Sequence, residues 1–320
     1  MDNKRKTVWF KPSTRAFFKE AAHSSQSSFI NWLHGYIYAR YIYTYIAIGM
    51  GQHRVNRLVY PFLKILRSIQ FQWNKFILHE KIQRKGNGIA DTYHGKVIQL
   101  SSARKLVSVQ QDIHLENLEN IIPYPVARDI IIDHPDHIAV LDCPCRASRE
   151  KHCFPLDVCM IIGEPFTSFV LEHHPNTSRK ITRDEALQIL EEEDARGHVH
   201  HAFFKDAMLN RFYAICNCCS CCCGAIHAHE NGTPMLAASG YIAVIDHDIC
   251  INCGVCTSFC QFHALSIVEG VSSIDLTLCM GCGVCVGKCD LHAISLLREP
   301  ANGIPLEIDE LLNKALAENQ

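Results

Sequence analysis

The stretch that decides the fold of the C-terminal part begins at Cys250 and reads C-I-N-C-G-V-C-T-S-F-C-Q-F-H-A, ending at Ala264. A second stretch, from Cys279 to Ala293, reads C-M-G-C-G-V-C-V-G-K-C-D-L-H-A and repeats the four cysteines, the histidine and the final alanine 29 residues later. Repetition of a whole unit implies two structurally equivalent halves. The two stretches therefore predict a pseudo-twofold domain over residues 236–300.

The cysteine spacing within each half indicates iron–sulfur chemistry. Three closely spaced cysteines can bind three corners of a cubane [4Fe–4S] cluster, whereas the alternative, zinc, usually takes one C-x2-C pair and a second distant pair. Gly254 and Gly283 supply the backbone freedom that such a tight loop needs. The fourth cysteine lies one helical turn away and points to the other cluster. The two predicted cofactors are [4Fe–4S] clusters with crossed ligand sets: Cys250, Cys253, Cys256 and Cys289 for one, and Cys279, Cys282, Cys285 and Cys260 for the other.

This pattern closely resembles that of bacterial-type dicluster ferredoxins. The resemblance covers residues 236–300 and implies two βαβ-like halves, with strands at Ile242–Ile245, Ala264–Val268 and Ala293–Leu297. Members of that family usually have proline after each fourth cysteine, where this chain has Gln261 and Asp290. The departure adds two backbone donors and one charge near the clusters. We expect it to shift cluster potentials and to leave the ligation unchanged.

Ten further cysteines lie in the middle of the chain, four of them after a predicted buried strand at Ile138–Leu141. They are Cys143, Cys145, Cys153, Cys159, Cys216, Cys218, Cys219, Cys221, Cys222 and Cys223. Pro144 restricts the backbone between two of these thiols, and Arg146 can offset thiolate charge. They predict at least one further iron–sulfur or zinc centre. Spacing alone leaves open a third cluster, two more clusters or a zinc site, with one or two cysteines as small buried hydrophobic residues.

The middle region is loosely similar to cysteine-rich iron–sulfur proteins of anaerobes, which implies anaerobic metabolism and no particular activity. The first ten residues carry three basic side chains and are followed by no apolar run typical of a signal peptide. Without export a disulfide framework is not expected, because cytosolic thiols stay reduced. The sequence therefore predicts a cytoplasmic protein whose cysteines bind metal.

Charge divides the chain into a basic and an acidic part. Residues 1–105 contain 18 Lys and Arg against four Asp and Glu, whereas residues 106–320 contain 13 against 29. A basic segment favours contact with an anionic partner. An amphipathic helix with basic residues around its apolar face is predicted from Leu58 to Ile77, before a linker that begins at Lys85. Since no nucleic-acid motif accompanies these charges, lipid or protein is favoured and nucleic acid is not expected.

The 22 residues from Phe29 to Met50 approach the ~20 that a helix needs to cross a bilayer. Arg40 stands at their centre, where a charge costs about 2.5–3.5 kcal/mol on insertion scales, and five tyrosines favour the membrane interface. We therefore expect peripheral attachment, through residues 29–85, to an anionic surface such as the inner face of the cytoplasmic membrane. The alternative is that this segment packs on the protein's own core or on a partner subunit.

These observations predict an α+β fold in four regions. Residues 1–95 form a basic helical region, 96–235 a cysteine-rich mixed α/β domain, 236–300 a ferredoxin-like dicluster domain and 301–320 a helical tail. Thr182 and Glu185 form a capping box that opens a helix. A second helix is predicted from Val126 to Ile132, ended by Pro135, and the tail helix from Ile308 to Ala317.

Two hypotheses about function follow. The favoured one is an electron-transfer protein or subunit that passes single electrons between a cytoplasmic donor and a partner redox enzyme. The alternative is an oxidoreductase whose substrate binds at an extra cluster on the middle cysteines. No nucleotide-binding loop, Gly-x-Ser-x-Gly or His-Glu-x-x-His motif is found. The sequence therefore leans away from a self-contained enzyme and predicts no catalytic residue.

Overall fold

The computed structural model describes residues 11–23, 29–56, 93–118, 121–122 and 128–318. The predicted amphipathic helix from Leu58 to Ile77 and the linker after it lie outside these ranges. The mixed α/β architecture confirms the predicted fold class. The predicted domain boundaries at residues 95, 235 and 300 stay predictions.

Before the first strand, the described residues include the helices α1 (Pro12–His23), α2 (Phe29–Arg40) and α3 (Ile42–Gly49). One face of α2 is buried, and Gly35 on that face permits a close approach. A Cβ at Gly35 would lie 1.9 Å from the carbonyl oxygen of Ala207. Among the residues that the structure describes, no helix is both long and apolar enough to cross a membrane.

The middle of the chain forms an eight-stranded sheet. Its strands are β1 (Tyr93–Ile98), β2 (Ile113–Leu115), β3 (Ile130–Asp142), β4 (Asp157–Glu164), β5 (Ser178–Ile181), β6 (Val199–Lys205), β7 (Arg211–Cys218) and β8 (Leu236–Ala237). Their order is β2-β3-β4-β7-β6-β1-β8, with β5 also paired to β3. Every pairing is antiparallel except that of β1 with β8. The strand predicted at Ile138–Leu141 is confirmed as part of β3.

The helix predicted from Val126 to Ile132 is wrong in its described C-terminal part, because Ile130 begins β3. The pairing of Ile132 with Ile113 of β2 shows why. Three consecutive isoleucines are β-branched and fit a strand that has a partner. Pro135 ends no helix and instead lies in the register shift of β3 between Asp133 and Ile138, where a strand tolerates proline.

Five helices connect the strands of the sheet: α4 (Leu100–Ser108), α5 (Pro144–Ala147), α6 (Phe166–His173), α7 (Arg183–Ala195) and α8 (Gly224–Glu230). The predicted start of α7 is confirmed, since the hydroxyl of Thr182 accepts a hydrogen bond from the Glu185 amide at 3.2 Å. On one face of the sheet, α4 and α7 pack through Leu106 and Leu190. On the other face, Phe17 of α1 and the aromatic residues of α2 and α6 pack against the strands.

The C-terminal part contains β9 (Tyr241–Ile245), β10 (Leu265–Val268), β11 (Val271–Ile274) and β12 (Ile294–Arg298), with the short helices α9 (Val255–Phe259) and α10 (Val284–Gly287). β9 pairs with β12 and β10 with β11, both antiparallel. The three strands implied by the ferredoxin resemblance are thus confirmed. The tail helix is confirmed as α11 (Ile308–Glu318). Phe262, Met280 and Val284 join the hydrophobic cluster that covers the α1 face of the sheet.

Candidate metal centres

The two halves of the C-terminal domain have matching backbones. Gly254 and Gly283 precede α9 and α10 with φ angles of 75° and 87°. His263 and His292, which occupy equivalent positions after the fourth cysteines, both adopt the left-handed conformation, with φ angles of 54° and 53°. Positive φ values at the same places in both halves confirm that the sequence repeat is a structural repeat.

Each fourth cysteine accepts a hydrogen bond from a backbone amide. The amide of Ala264 lies 3.2 Å from the Sγ atom of Cys260, and that of Ala293 lies 3.3 Å from the Sγ atom of Cys289. Amide donors of this kind stabilise negative charge on sulfur and help set the potential of a bound cluster. These hydrogen bonds orient both fourth thiols.

The first predicted ligand set surrounds Cys256. Burial raises the pKa of this thiol, and the cysteines whose charges add to that effect are Cys253, Cys250 and Cys289. Cys289 comes from the second half of the repeat. The neighbours of Cys256 are therefore those that the crossed ligation requires.

The second predicted set lines one small apolar cavity. Its walls include Ala243 and Leu265, together with the thiols of Cys260, Cys279, Cys282 and Cys285. Burial raises the pKa of Cys282 to about 12. Four thiols around a small apolar cavity are a donor set that suits a cubane cluster. The geometry fits the crossed ligand sets, which stay a prediction.

Six of the ten middle cysteines lie together where β3, β4 and β7 approach α5 and α8. This six-thiol group consists of Cys143, Cys145, Cys159, Cys216, Cys218 and Cys223. Its Sγ atoms form a continuous chain of contacts, including 3.4 Å between Cys159 and Cys216 and 3.1 Å between Cys218 and Cys223. The thiol of Cys143 contacts those of Cys145 and Cys159, and the thiol of Cys145 contacts that of Cys223.

Hydrogen bonds make one member of the six-thiol group a favoured thiolate. The thiols of Cys145 and Cys159 hold the pKa of Cys143 well below its ordinary value. Cys143 is itself only 8% exposed. Because a thiolate is the form that binds metal, the group combines burial with a ready ligand.

The remaining four middle cysteines form a separate and tighter cluster. This four-thiol group consists of Cys153, Cys219, Cys221 and Cys222, whose Sγ atoms all lie within 4.8 Å of one another. In the sequence its cysteines lie between those of the six-thiol group, since Cys218 and Cys223 flank the loop that carries three of them. The ten cysteines are thus brought together as two groups.

A buried ion pair lies beside both groups. Arg146 and Glu193 have side chains only 1% exposed, with 2.5 Å between Nη2 and Oε2. Arg146 also donates to the carbonyl oxygens of Pro155 and Asn217, at 2.5 and 3.1 Å. His198 Nδ1 lies 2.6 Å from the same carboxylate oxygen. The sequence predicts that the positive charge of Arg146 offsets thiolate charge. In the fold this charge is also compensated by the carboxylate of Glu193, which the sequence does not indicate.

Three tyrosines adjoin the six-thiol group and were not predicted as site residues. The hydroxyls of Tyr38 and Tyr213 are 2.9 Å apart, and Tyr93 hydrogen-bonds Tyr213. Burial raises the pKa of all three hydroxyls, and the charge of Cys216 acts in the same direction. They therefore stay protonated and can donate hydrogen bonds. The sequence leaves open whether Tyr38 meets a membrane interface or the protein's own core, and its 3% exposure places it in the core.

Gln261 joins the C-terminal domain to the loop of the middle cysteines. Its Oε1 atom accepts from the Ser220 amide at 2.7 Å, and its Nε2 atom donates to the carbonyl oxygen of Gly197 at 2.8 Å. Gly197 fits closely here, because a Cβ on it would lie 2.5 Å from the ring of Phe259. The residue that replaces the usual proline thus acts through its side chain, whereas the sequence indicated only an added backbone donor.

Comparison with known proteins identifies the class of the C-terminal domain. Residues 242–290 match the family model described as a 4Fe-4S dicluster domain. The C-terminal domain is therefore of ferredoxin type and binds iron–sulfur clusters, which are cofactors of one-electron transfer. No curated protein matches the chain. The similarity of the middle region to iron–sulfur proteins of anaerobes gains no support from this comparison.

Proposed function

We propose that the protein passes single electrons between a partner redox protein and a metal centre on the six-thiol group, by way of two [4Fe–4S] clusters in the C-terminal domain. When bound, iron–sulfur centres supply one-electron oxidation and reduction. The polypeptide holds the thiols, excludes water and sets the potentials through burial and hydrogen bonds to sulfur. The single observation that carries the proposal is the Gln261 bridge.

Both ends of the Gln261 bridge lie close in sequence to proposed ligand cysteines. Gln261 directly follows Cys260, a proposed ligand of the second cluster, and Ser220 lies in the loop flanked by Cys218 and Cys223, two members of the six-thiol group. Cys260 and Cys282 also pack against the hydrophobic cluster that contains buried members of the six-thiol group. The two sets of thiols thus border one continuous apolar core, which favours electron transfer without intervening solvent.

The opposite end of the proposed route faces solvent. Cys253 is exposed, and the neighbouring Ile251 and Val255 are 69% and 48% exposed. Apolar side chains around an exposed ligand loop suit a transient redox partner. We therefore propose that a cytoplasmic partner exchanges electrons at the first cluster, and that the second cluster is the inner one.

Redox titration of the anaerobically purified full-length protein tests this proposal. We expect electron paramagnetic resonance signals from three centres, and loss of the third signal with its iron in the double variant Cys143→Ser/Cys159→Ser. The matched control is Ser148→Ala, which changes a neighbouring polar residue without removing a thiol. An iron content and spectrum equal to those of the control would refute a centre on the six-thiol group.

The role of the bridge has its own test. Gln261→Pro restores the residue usual in ferredoxins and removes both side-chain hydrogen bonds, so electrons given to the C-terminal clusters should reach the third centre more slowly. Rapid-freeze resonance measurements follow this step, with Gln261→Glu as the control that keeps the acceptor for Ser220. Equal rates in Gln261→Pro and the natural protein would contradict a route through this contact.

A second candidate function is an oxidoreductase whose substrate binds at the six-thiol group. It is supported by one observation: six thiols exceed the four corners of a cubane, and protonated Tyr38, Tyr93 and Tyr213 lie beside them. Tyrosine hydroxyls can orient a polar substrate or donate a proton. Changes in the spectrum of the third centre on addition of metabolites would favour this candidate, and a spectrum insensitive to them would favour the carrier.

We further propose peripheral attachment to an anionic membrane surface through residues 29–85. Ile30, Leu33 and Ile37 form an exposed apolar stripe on α2, at 75%, 40% and 43% exposure, although the opposite face of the helix packs on the protein's own core. The excess of basic residues in positions 1–105 complements anionic headgroups. Sedimentation with phosphatidylserine vesicles should fall in Ile30→Asp/Leu33→Asp and with salt, while Ile267→Asp serves as an exposed control. Equal binding by the two variants would exclude the stripe.

A further inference from the structure

We propose that the four-thiol group binds one tetrahedrally coordinated metal ion, separate from every iron–sulfur cluster. Zinc is the ion that a closed site of four cysteines suits best, and a single ferrous ion is held by the same chemistry. The site does not depend on the electron route proposed above.

The spacing of the sulfurs carries the inference. Cys153 Sγ lies 3.8 Å from the Sγ atoms of both Cys219 and Cys222 and 2.9 Å from that of Cys221. Cys221 Sγ lies 3.3 Å from that of Cys219 and 3.6 Å from that of Cys222. Four thiolates bound to one ion at about 2.3 Å are about 3.8 Å apart, from the geometry of a tetrahedron. Three of the five distances match that edge within 0.2 Å, and the other two are shorter.

A cubane would require a wider arrangement. Each of its four thiolates binds a different iron at a different corner, so the sulfurs lie farther apart than around one ion. The eight C-terminal cysteines provide an internal reference. Within the described ranges, neither of their sets contains three thiols as close together as those of the four-thiol group. The thiols are therefore more widely spaced where the two C-terminal clusters are proposed than where the single ion is proposed.

The chain connectivity is also that of a closed site. Cys219, Cys221 and Cys222 come from one loop after β7, whereas Cys153 comes from the segment between α5 and β4. Cys219 and Cys222 are 3% and 1% exposed, and Cys221 faces solvent. A metal ion entering from the side of Cys221 would meet four protein ligands and leave no position for substrate, which is typical of a structural ion.

Such an ion would position two ligands of the neighbouring group. Cys218 and Cys223 bracket the loop, and their Sγ atoms are 3.1 Å apart within the six-thiol group. Coordination of one ion by Cys153 and by Cys219, Cys221 and Cys222 would hold the loop closed between Cys218 and Cys223. This positioning role, unlike the site itself, rests on the proposed function of the six-thiol group.

X-ray absorption of the anaerobically purified full-length protein tests the site directly. At the zinc edge we expect four sulfurs at about 2.3 Å and no metal neighbour, with one zinc per chain by elemental analysis. A single iron with four sulfurs, identified by Mössbauer spectroscopy, would equally support the site. A metal neighbour at the zinc edge, the absence of any mononuclear ion, or a disulfide between Cys153 and Cys221 would overturn it.

Variants identify the ligands. Cys153→Ser/Cys222→Ser should lose this one ion and keep the iron of the C-terminal clusters, whereas Ser220→Ala, in the same loop, should retain the ion. Loss of several irons with the double variant would instead indicate a cluster. If the double variant does not fold, the absorption measurement on the natural protein still decides. Failure to find the mononuclear ion would refute this site alone. The three resonance signals described above test the electron route separately.

Discussion

Replacement of Glu193 by glutamine should destabilise the sheet around both groups of middle cysteines. The natural carboxylate neutralises Arg146, and the two side chains are each only 1% exposed. Glutamine keeps the volume and one acceptor oxygen but leaves the guanidinium without its counter-charge. Removing one partner of a buried ion pair costs about 3–5 kcal/mol. Because glutamine still accepts a hydrogen bond, we expect the lower end of that range.

Hydrogen exchange measures this cost locally. A loss of about 3 kcal/mol corresponds to a roughly 100-fold increase in the exchange of amides in β4 and β7, at about 1.4 kcal/mol per tenfold change. The matched control is Glu192→Gln, the adjacent residue, whose 47% exposed side chain pairs with Arg196 on the surface. Such an exposed pair contributes less than about 1 kcal/mol. Exchange in Glu193→Gln within about fivefold of the control would refute the view that Arg146 depends on this carboxylate.

Three further predictions address other parts of the molecule. Burial lowers the pKa of Lys96 from 10.5 to about 8, so the stability of the fold should rise with pH between these two values. Lys96→Met should remove that rise. At 1.36 kcal/mol per pKa unit, it should also stabilise the protein at pH 7 by up to about 3 kcal/mol. Thermal unfolding checks this against Lys180→Met on the surface, and an unchanged pH profile would contradict it. Thr182→Ala should cost about 1 kcal/mol through loss of the helix cap, while Thr182→Ser should keep most of it. Cys289→Ser should perturb the cluster bound by the first cysteine motif. Loss of the resonance signal of the other cluster instead would disprove the crossed ligation.

Local sequence was sufficient for the C-terminal domain. Its ligand loops are made of residues three or four positions apart, so spacing and glycine placement determine the backbone directly. The repeat of Gly254 at Gly283, and of the histidine after each fourth cysteine, is reproduced in matching φ angles. The capping box at Thr182 succeeded for the same reason, since a helix cap involves only neighbouring residues.

Other predictions failed or stopped short because distant residues decide them. Whether Ile130–Ile132 forms helix or strand depends on β2, which lies elsewhere in the chain. The apolar face around Tyr38 looks alike whether it meets lipid or, as its burial shows, the sheet. Gln261 gave no sign of bridging, because its partners Ser220 and Gly197 belong to another part of the fold.

The sequence by itself determined that the ten middle cysteines suit metal binding, since their number and crowding are properties of composition. Only the tertiary structure divided them into groups of six and four. Neighbours in the chain enter different groups: Cys218 joins the six and Cys219 the four. A strand projects successive side chains to opposite faces, and the loop after β7 turns three thiols toward Cys153, more than 60 residues earlier. That division depends on how α5, β4 and β7 pack, which no spacing along the chain encodes.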